Sequence, residues 1–516
     1  MMPARLAIAS TLALLVAGVA ALSHSPSGAQ ALATQPRPHI IVITTDDQPL
    51  SMLHAKYMPN TLREIGGAGT TFTNAVVTTP LCCPSRASLM TGEYAHNHEV
   101  LANHYSLLRD KSNVLPVWLR QAGYRTAHVG KFLNGYEATV GDGAEVAPGW
   151  DNWFTTLGST RYFNYDVSAN GRRIHFGKGR RSHVTRVLNR KAASLVRRYT
   201  SDSTPLYLQL DQRAPHTETG VNSGGRCGAR AVPEIPNDDR RVRDEPLPTP
   251  PSFNEADISD KPPWVRDRPL LNGARVKKIA KRYECGVAAL LGVDRGVKQI
   301  VAALKQSDEL DSTVLLFTSD NGFYFGEHRI ARDKTHPYEE GLRVPLMMRV
   351  PPRYLGTAPP PAVHQQVANI DLAPTMLELA GGQPCTAEGD CRVMDGRSLM
   401  PLLRGRAGWP SGRGVLIEYD GASSKGTSSC KYSAIRVPGR IYVDHVSAPD
   451  PVTGVCQPTE ETELYDLSTD PFELQNLAPR DDPGTEALQQ RLDRLETCAG
   501  LPGRDPQPPP DSSYCE

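Results

Sequence analysis

Cys82, Pro84, Ser85 and Arg86 stand within one turn of each other, in Leu81-Cys82-Cys83-Pro84-Ser85-Arg86-Ala87-Ser88-Leu89-Met90-Thr91-Gly92. Pro84 has its φ preset for a first helical turn and loses no needed N–H there. Gly92 is a natural helix stop. The stretch therefore reads as a loop that becomes a short helix. Cys82 falls just ahead of an N-terminus whose free N–H groups and dipole favour an anion. Arg86 follows one turn later and can lean back toward Cys82. From the residues alone two chemistries stay open. Adjacent cysteines in an exported chain are ordinary disulfide partners of distant cysteines. Alternatively, the guanidinium and the helix end stabilise a reactive thiolate.

Oxygen-bearing side chains recur at the ends of apolar runs. His39–Thr45 is rich in Ile and Val and ends in Asp46-Asp47; Ser312–Thr318 is similar and leads to Asp320-Asn321-Gly322. Unbroken runs of this kind suit buried parallel strands, and ligands bind beyond the carboxyl ends of such strands. Four clustered oxygen groups suit a hard cation, calcium rather than zinc, because no His/Cys ligand set accompanies them. Taken singly, each pair equally reads as a helix cap or a turn. Lys131 follows the strand Arg125–Val129, where it would bind an anion, protonate a leaving group or simply be solvated. His216 closes Ala214-Pro215-His216 after the strand Pro205–Leu210, where a structural role competes with a catalytic one.

Cys-x-Pro-Ser-Arg followed by Leu-x-Thr-Gly, carried here by Cys82, Pro84, Ser85, Arg86, Leu89, Thr91 and Gly92, resembles the signature of the type I sulfatases. Leu133-Asn134 and the segment Asn254 to Pro262 resemble the branch that acts on N-acetylglucosamine 6-sulfate, which is grouped with the arylsulfatases. The resemblance implies an alkaline-phosphatase-like α/β fold: a central mixed sheet flanked by helices, with a small C-terminal antiparallel sheet-plus-helix domain. It implies that a formylglycine-generating enzyme oxidises Cys82 to formylglycine, whose hydrate is the nucleophile. One calcium ion would be held by Asp46, Asp47, residue 82, Asp320 and Asn321. Asp320 would act as base and Arg86 would stabilise the ionised hydroxyl. Lys131, His216 and Lys334 would grip the sulfate, with Lys131 or His216 as the acid. Many members carry a histidine where this chain has Leu133. The implied activity is hydrolysis of a sulfuric ester, on a sulfated carbohydrate of the N-acetylglucosamine 6-sulfate type or an aryl sulfate. Two other readings remain: a phosphonate or phosphodiester hydrolase of the same superfamily, and a calcium-dependent carbohydrate binder whose Cys82 is never converted.

These residues need a scaffold, and the 516-residue chain is long enough for one large domain and a smaller one. Residues 1–33 read as a secretory signal peptide, with Arg5 before an apolar run from Leu6 to Leu22. Residues 36–405 form the expected catalytic domain, 412–500 a C-terminal α+β part with short strands, and 501–516 a Pro-rich tail. No later stretch is apolar enough for a stable membrane span. With Lys+Arg at 57 and Asp+Glu at 56, overall charge points to no nucleic-acid partner. Ten Lys/Arg and no acid lie between Arg172 and Arg198, read either as a solvated face or as a basic rim. Export gives the ten cysteines meaning, and the absence of any Asn-x-Ser/Thr sequon points to a bacterial secreted or cell-envelope protein. With Cys82 reserved for catalysis, Cys385 and Cys391, Cys430 and Cys456, and Cys498 and Cys515 are expected to close local loops. Cys227 and Cys285 are then left for each other, and Cys83 is the free thiol.

Overall fold

A computed structural model describes residues 36–516 apart from 139–143, 159–160, 219–226, 228–229, 236, 422–429, 451–452, 454 and 479–482. The expected signal peptide, 1–33, lies outside the described residues. Strand β1 (His39–Asp46) is buried along its whole length. Ile40 and Val42 enter one core, and Ile41 and Ile43 enter another on the opposite face. Coverage on both faces is why the sequence shows an unbroken apolar run there instead of alternation.

In chain order the other strands of the main sheet are β2 (Thr70–Phe72), β3 (Arg125–Lys131), β4 (Asn152–Leu157), β5 (Tyr165–Ala169), β6 (Arg172–Phe176), β7 (Leu206–Pro215), β8 (Thr313–Ser319), β9 (Leu346–Arg349) and β10 (Ala362–Val363). Their spatial order is β10-β2-β9-β8-β1-β7-β3-β4-β5-β6. The sheet is mixed. Its centre, β8-β1-β7-β3-β4, is parallel, while β9 and the β5-β6 edge run antiparallel. All the central carboxyl ends therefore open on one rim.

Helix α1 (Cys82–Thr91) packs through Cys83, Ala87, Leu89 and Met90 into the core that holds Ile40 and Val42. Gly92 ends it at φ +73°, the left-handed conformation that glycine takes freely. On the other face lie α2 (Val184–Tyr199) and α3 (Gly273–Gln306). The Asn272 side chain caps α3 by accepting the Arg275 N–H at 3.0 Å. Of the ten basic residues between Arg172 and Arg198, eight are exposed and Arg186 and Lys191 are half-buried; Arg173 and Arg186 are paired with Asp166 and Glu234.

The C-terminal strands β11 (Val415–Tyr419), β12 (Tyr432–Val437), β13 (Arg440–His445) and β14 (Thr462–Asp466) pair antiparallel in sequence order. Leu488, Leu492 and Leu495 of the helix Pro483–Leu495, at i, i+4 and i+7, share a core with Ile435 and Val443. That core also takes in Tyr94, Tyr324 and Tyr338 from beside the main sheet. Disulfides join Cys227 to Cys285, Cys385 to Cys391, Cys430 to Cys456 and Cys498 to Cys515, leaving Cys82 and Cys83 as buried free thiols. The last pair ties down the Pro-rich tail, helped by Glu516, which accepts the Gly414 N–H at 2.7 Å. Three boundaries differ from the sequence reading. Cys82 is the first residue of its helix rather than the residue before it, Lys131 is the last residue of its strand, and β7 continues past Leu210 to Pro215.

Candidate active site

The site is assembled on the open rim of β1, β7, β8 and β3. Parallel register puts Thr45 opposite Ser319 and Asp46 opposite Pro215, so both acidic strand ends arrive together. The chain turns sharply at Asp47, φ +65°, and its N–H donates to Asp320 Oδ1 at 3.1 Å. Asn321 Nδ2 donates to Asp47 Oδ1 at 2.8 Å. Helix α1 brings Cys82 Sγ to 3.5 Å from Asp46 Oδ1. Asp46, Asp47, Cys82 and Asp320 each place one potential ligand atom within 4.8 Å of the others. Asn321 Oδ1 is buried beside them without a hydrogen-bond partner among the described residues. An orphaned buried oxygen next to three carboxylates is the donor chemistry a hard cation requires.

Three cations face these acids. Lys131 Nζ donates to both oxygens of Asp46, at 3.0 and 2.8 Å. Its backbone is positioned by Gly130, φ +123°, where a Cβ would lie 1.9 Å from the Asp211 carbonyl oxygen; only glycine lets β3 approach β7 so closely. Lys334 Nζ lies 2.5 Å from Asp47 Oδ1 and 2.7 Å from Cys82 Sγ. Arg86 turns away from Cys82. Its Nε donates to Asp320 Oδ2 at 2.9 Å and its Nη1 to the Lys131 carbonyl at 3.0 Å, with Asp211 Oδ1 at 3.5 Å. His216 Nδ1 lies 2.6 Å from the Thr217 carbonyl oxygen, which can only accept, so Nδ1 carries the proton. Its Nε2 faces Asp47 Oδ2 at 3.6 Å. All nine residues singled out in the sequence therefore meet in one place.

Charge in this rim is strongly coupled. Burial pushes Asp46 up, but Lys131, His216, Arg86 and Lys334 outweigh it and hold the carboxyl well below its usual range. Asp320 is pushed up to about 6 by burial, which Arg86 only partly offsets and Asp46 reinforces. Burial works against Lys131 and Lys334, yet the facing carboxylates keep both ammonium groups protonated above the usual lysine range. Burial also lowers His216, despite Asp46 and Asp47, and so favours the neutral ring. The Cys82 thiol is pushed up to about 12 by burial, with the two lysines offsetting little of it. Burial in this rim thus favours the protonated thiol while residue 82 is cysteine.

The family model described as Sulfatase matches residues 38–382, which contain every residue of this rim. The chain belongs to the sulfatase family. It is 32% identical over 518 residues to an arylsulfatase of Volvox carteri, covering 94% of this chain and 76% of that one. Against an N-acetylglucosamine-6-sulfatase of Capra hircus it is 29% identical over 511 residues, covering 91% and 85%. A solved structure described as a complex with its substrate, D-glucosamine-2-N,6-O-disulfate, superposes with a TM-score of 0.69 at 22% identity, covering 89% of this chain and 97% of the other. The mixed sheet, its helical layers and the small antiparallel C-terminal sheet are the alkaline-phosphatase-like fold of this family. Sulfatases generally use a formylglycine and a metal ion, and the buried acidic site such an ion needs is present here.

Sequence reasoning about this sulfatase missed three residues that shape the site. Asp211 receives Arg86 and accepts or shares a proton with His128 Nε2 at 3.0 Å, so a buried network supports the guanidinium from behind. Arg213, two residues further along β7, is buried beside Lys131. Asp211 directly follows the apolar run ending at Leu210, as Asp46 follows its own, but without a second acid beside it the position did not stand out.

Proposed function

We propose that this sulfatase removes sulfate from a sulfated carbohydrate of the N-acetylglucosamine 6-sulfate type, and also cleaves aryl sulfates, through formylglycine at residue 82 and a calcium ion. The observation that carries the reading is the convergence of Asp46, Asp47, Cys82 and Asp320 on one buried point, beside the unpartnered Asn321 Oδ1. Asp46, Asp47, Asp320, Asn321 and the oxygen of converted residue 82 would hold calcium, which when bound neutralises sulfate charge and orients the nucleophile. Formylglycine supplies, as its hydrate, an oxygen nucleophile for sulfur and a second hydroxyl that lets sulfate leave without water attacking sulfur. Lys334 Nζ, beside Cys82 Sγ, would donate to an oxygen at residue 82 after conversion.

The chain's own groups then divide the work. Asp320, oriented by Arg86, takes the proton of the attacking hydroxyl. Lys334 bridges residue 82 and Asp47, and there stabilises developing negative charge on oxygen. Lys131 keeps its proton at neutral pH and is the donor to the departing alcohol; His216, with Nδ1 committed to Thr217, grips the sulfate through Nε2 only when that nitrogen also carries a proton, a form that burial opposes and Asp46 and Asp47 favour. Residues 36–405 supply this machinery and 412–500 form the C-terminal α+β part packed beside it. Residues 1–33 direct export to the envelope or medium of a bacterium, where the disulfides persist.

The test is a substrate panel on protein co-produced with a formylglycine-generating enzyme: N-acetylglucosamine 6-sulfate, an aryl sulfate, a phosphonate monoester and a phosphodiester. Sulfate release from the sugar and the aryl ester, at rates well above those on the phosphorus esters, is expected. Faster turnover of the phosphonate overturns the reading. Stoichiometric zinc in place of calcium overturns the metal assignment.

A further inference from the structure

We infer that Arg213 and the cleft it lines form a subsite for a second anionic group of the substrate, a sulfate or carboxylate carried beside the ester that is cleaved. The inference rests on the sulfated-carbohydrate reading above and narrows it to substrates bearing at least two negative charges.

The argument begins with an unpaired charge. Arg213 is 4% exposed. Its guanidinium makes one long hydrogen bond, from Nη2 to Thr156 Oγ1 at 3.4 Å. Its Nε is buried with no partner among the described residues. The other buried cations of the rim each have a carboxylate: Arg86 has Asp320 at 2.9 Å, Lys131 has Asp46 at 2.8 Å and Lys334 has Asp47 at 2.5 Å. No carboxylate lies within ion-pair distance of Arg213 among the described residues. A guanidinium does not shed its proton to escape burial, and a buried charge without a counter-ion is costly enough that a fold retains one only where something pairs with it.

What it faces is open. Arg213 lines a cleft of about 110 Å³ with Lys131, Leu133, Asn134, Glu137 and Thr156. Lys131, assigned to the reacting sulfate, lines the same cleft, so a sugar whose ester oxygen reaches Lys131 would bring a neighbouring anionic group to Arg213. The guanidinium donors not committed to Thr156 are the groups a sulfate or carboxylate oxygen pair would take up. Asn134 Oδ1 is likewise buried and unpartnered; it can accept from a sugar hydroxyl or N–H. Glu137 also lines the cleft and repels an anion placed near it, so the second charge is favoured only beside Arg213. Leu133 leaves this wall apolar where a histidine would compete for the anion.

The experiment compares three 6-sulfated substrates on the full-length converted enzyme and on Arg213→Gln and Arg213→Lys. The substrates are N-acetylglucosamine 6-sulfate, glucosamine 2-N,6-O-disulfate, and N-acetylglucosamine 6-sulfate joined to a uronic acid. Wild type is expected to favour a doubly charged substrate, and which one it favours separates sulfate from carboxylate. Losing a charge-assisted bond corresponds to about 10–100-fold, so Arg213→Gln should shrink that preference by this factor, chiefly through KM, and Arg213→Lys should restore part of it. The melting temperature of Arg213→Gln should not fall, because an unpaired buried charge has been removed; a purely structural arginine would lower it. An unchanged preference in Arg213→Gln, or equal losses on singly and doubly charged sugars, overturns the subsite. A wild type that cleaves aryl sulfate and none of the sugars instead overturns the carbohydrate reading on which the subsite rests.

Discussion

Arg86→Met tests the network behind the nucleophile. Arg86 is 4% exposed and holds Asp320 Oδ2 at 2.9 Å, the Lys131 carbonyl at 3.0 Å and Asp211 Oδ1 at 3.5 Å. Methionine keeps much of the length and removes every donor. Asp320 and Asp211 are then buried without their shared cation, and breaking a buried pair in this way costs about 3–5 kcal/mol. Unfolding entropy scales at roughly 2.1 cal/mol/K per residue, so for a chain of this size about 1 kcal/mol moves the melting temperature by about 1 °C. The expected fall is therefore about 3–5 °C by differential scanning calorimetry. Because Arg86 fixes the Asp320 carboxylate that would ligate the cation, calcium affinity should also drop by about 10–100-fold, the usual effect of losing a partner that orients a metal ligand. Titration calorimetry on the metal-stripped protein reads that directly. A variant that melts within about a degree of wild type and binds calcium equally well would refute the reasoning, since neither carboxylate would then depend on the guanidinium.

Lys131→Ala should cost a sugar sulfate, with its poor leaving group, about 10²–10³ in kcat/KM and an aryl sulfate with an acidic phenol far less; equal losses on both would remove Lys131 from the acid role. The Glu327 and Glu340 carboxyls are both pushed up to about 7 by burial, in the packed segment after β8. A carboxyl raised in the folded state favours folding fully at pH below its unfolded value and loses that contribution as pH rises through the folded one. Stability should therefore decline from about pH 5 to pH 8, and Glu340→Gln, permanently neutral, should flatten the decline. Melting curves across this range check it, and a wild-type profile that rises over the same interval contradicts it.

How much of this was legible in the sequence depends on pattern length. Asp46-Asp47 and Asp320-Asn321 stood out because each follows an unbroken apolar run, and such runs are forced by burial on both faces of a central strand. The cysteine motif stood out because Pro84 and Gly92 bracket a helix by local chemistry alone. Asp211 and Arg213 did not stand out. Asp211-Gln212-Arg213 breaks the apolar pattern, so the strand was expected to end at Leu210, whereas pairing with β1 carries β7 on to Pro215 through a register shift between Thr44 and Asp46. A strand that keeps going after its side chains turn polar is held by its neighbours, and no local signal reports them. Arg86 was expected to lean toward Cys82, one turn back. Its strongest partner is instead Asp320, 234 residues away, because two buried carboxylates attract a guanidinium more than a protonated thiol does. Spacing along a helix reports which groups can meet, and long-range charge decides which do.

The central claim is that residue 82 works as an aldehyde hydrate within a cation-binding rim. Peptide mass spectrometry across Leu81–Arg86, on preparations made with graded amounts of a formylglycine-generating enzyme, measures it against turnover of an aryl sulfate in the same samples. The account predicts that activity rises in proportion to the fraction of residue 82 found as aldehyde and vanishes in preparations where it is entirely cysteine. Full turnover by protein whose Cys82 is unmodified would contradict it.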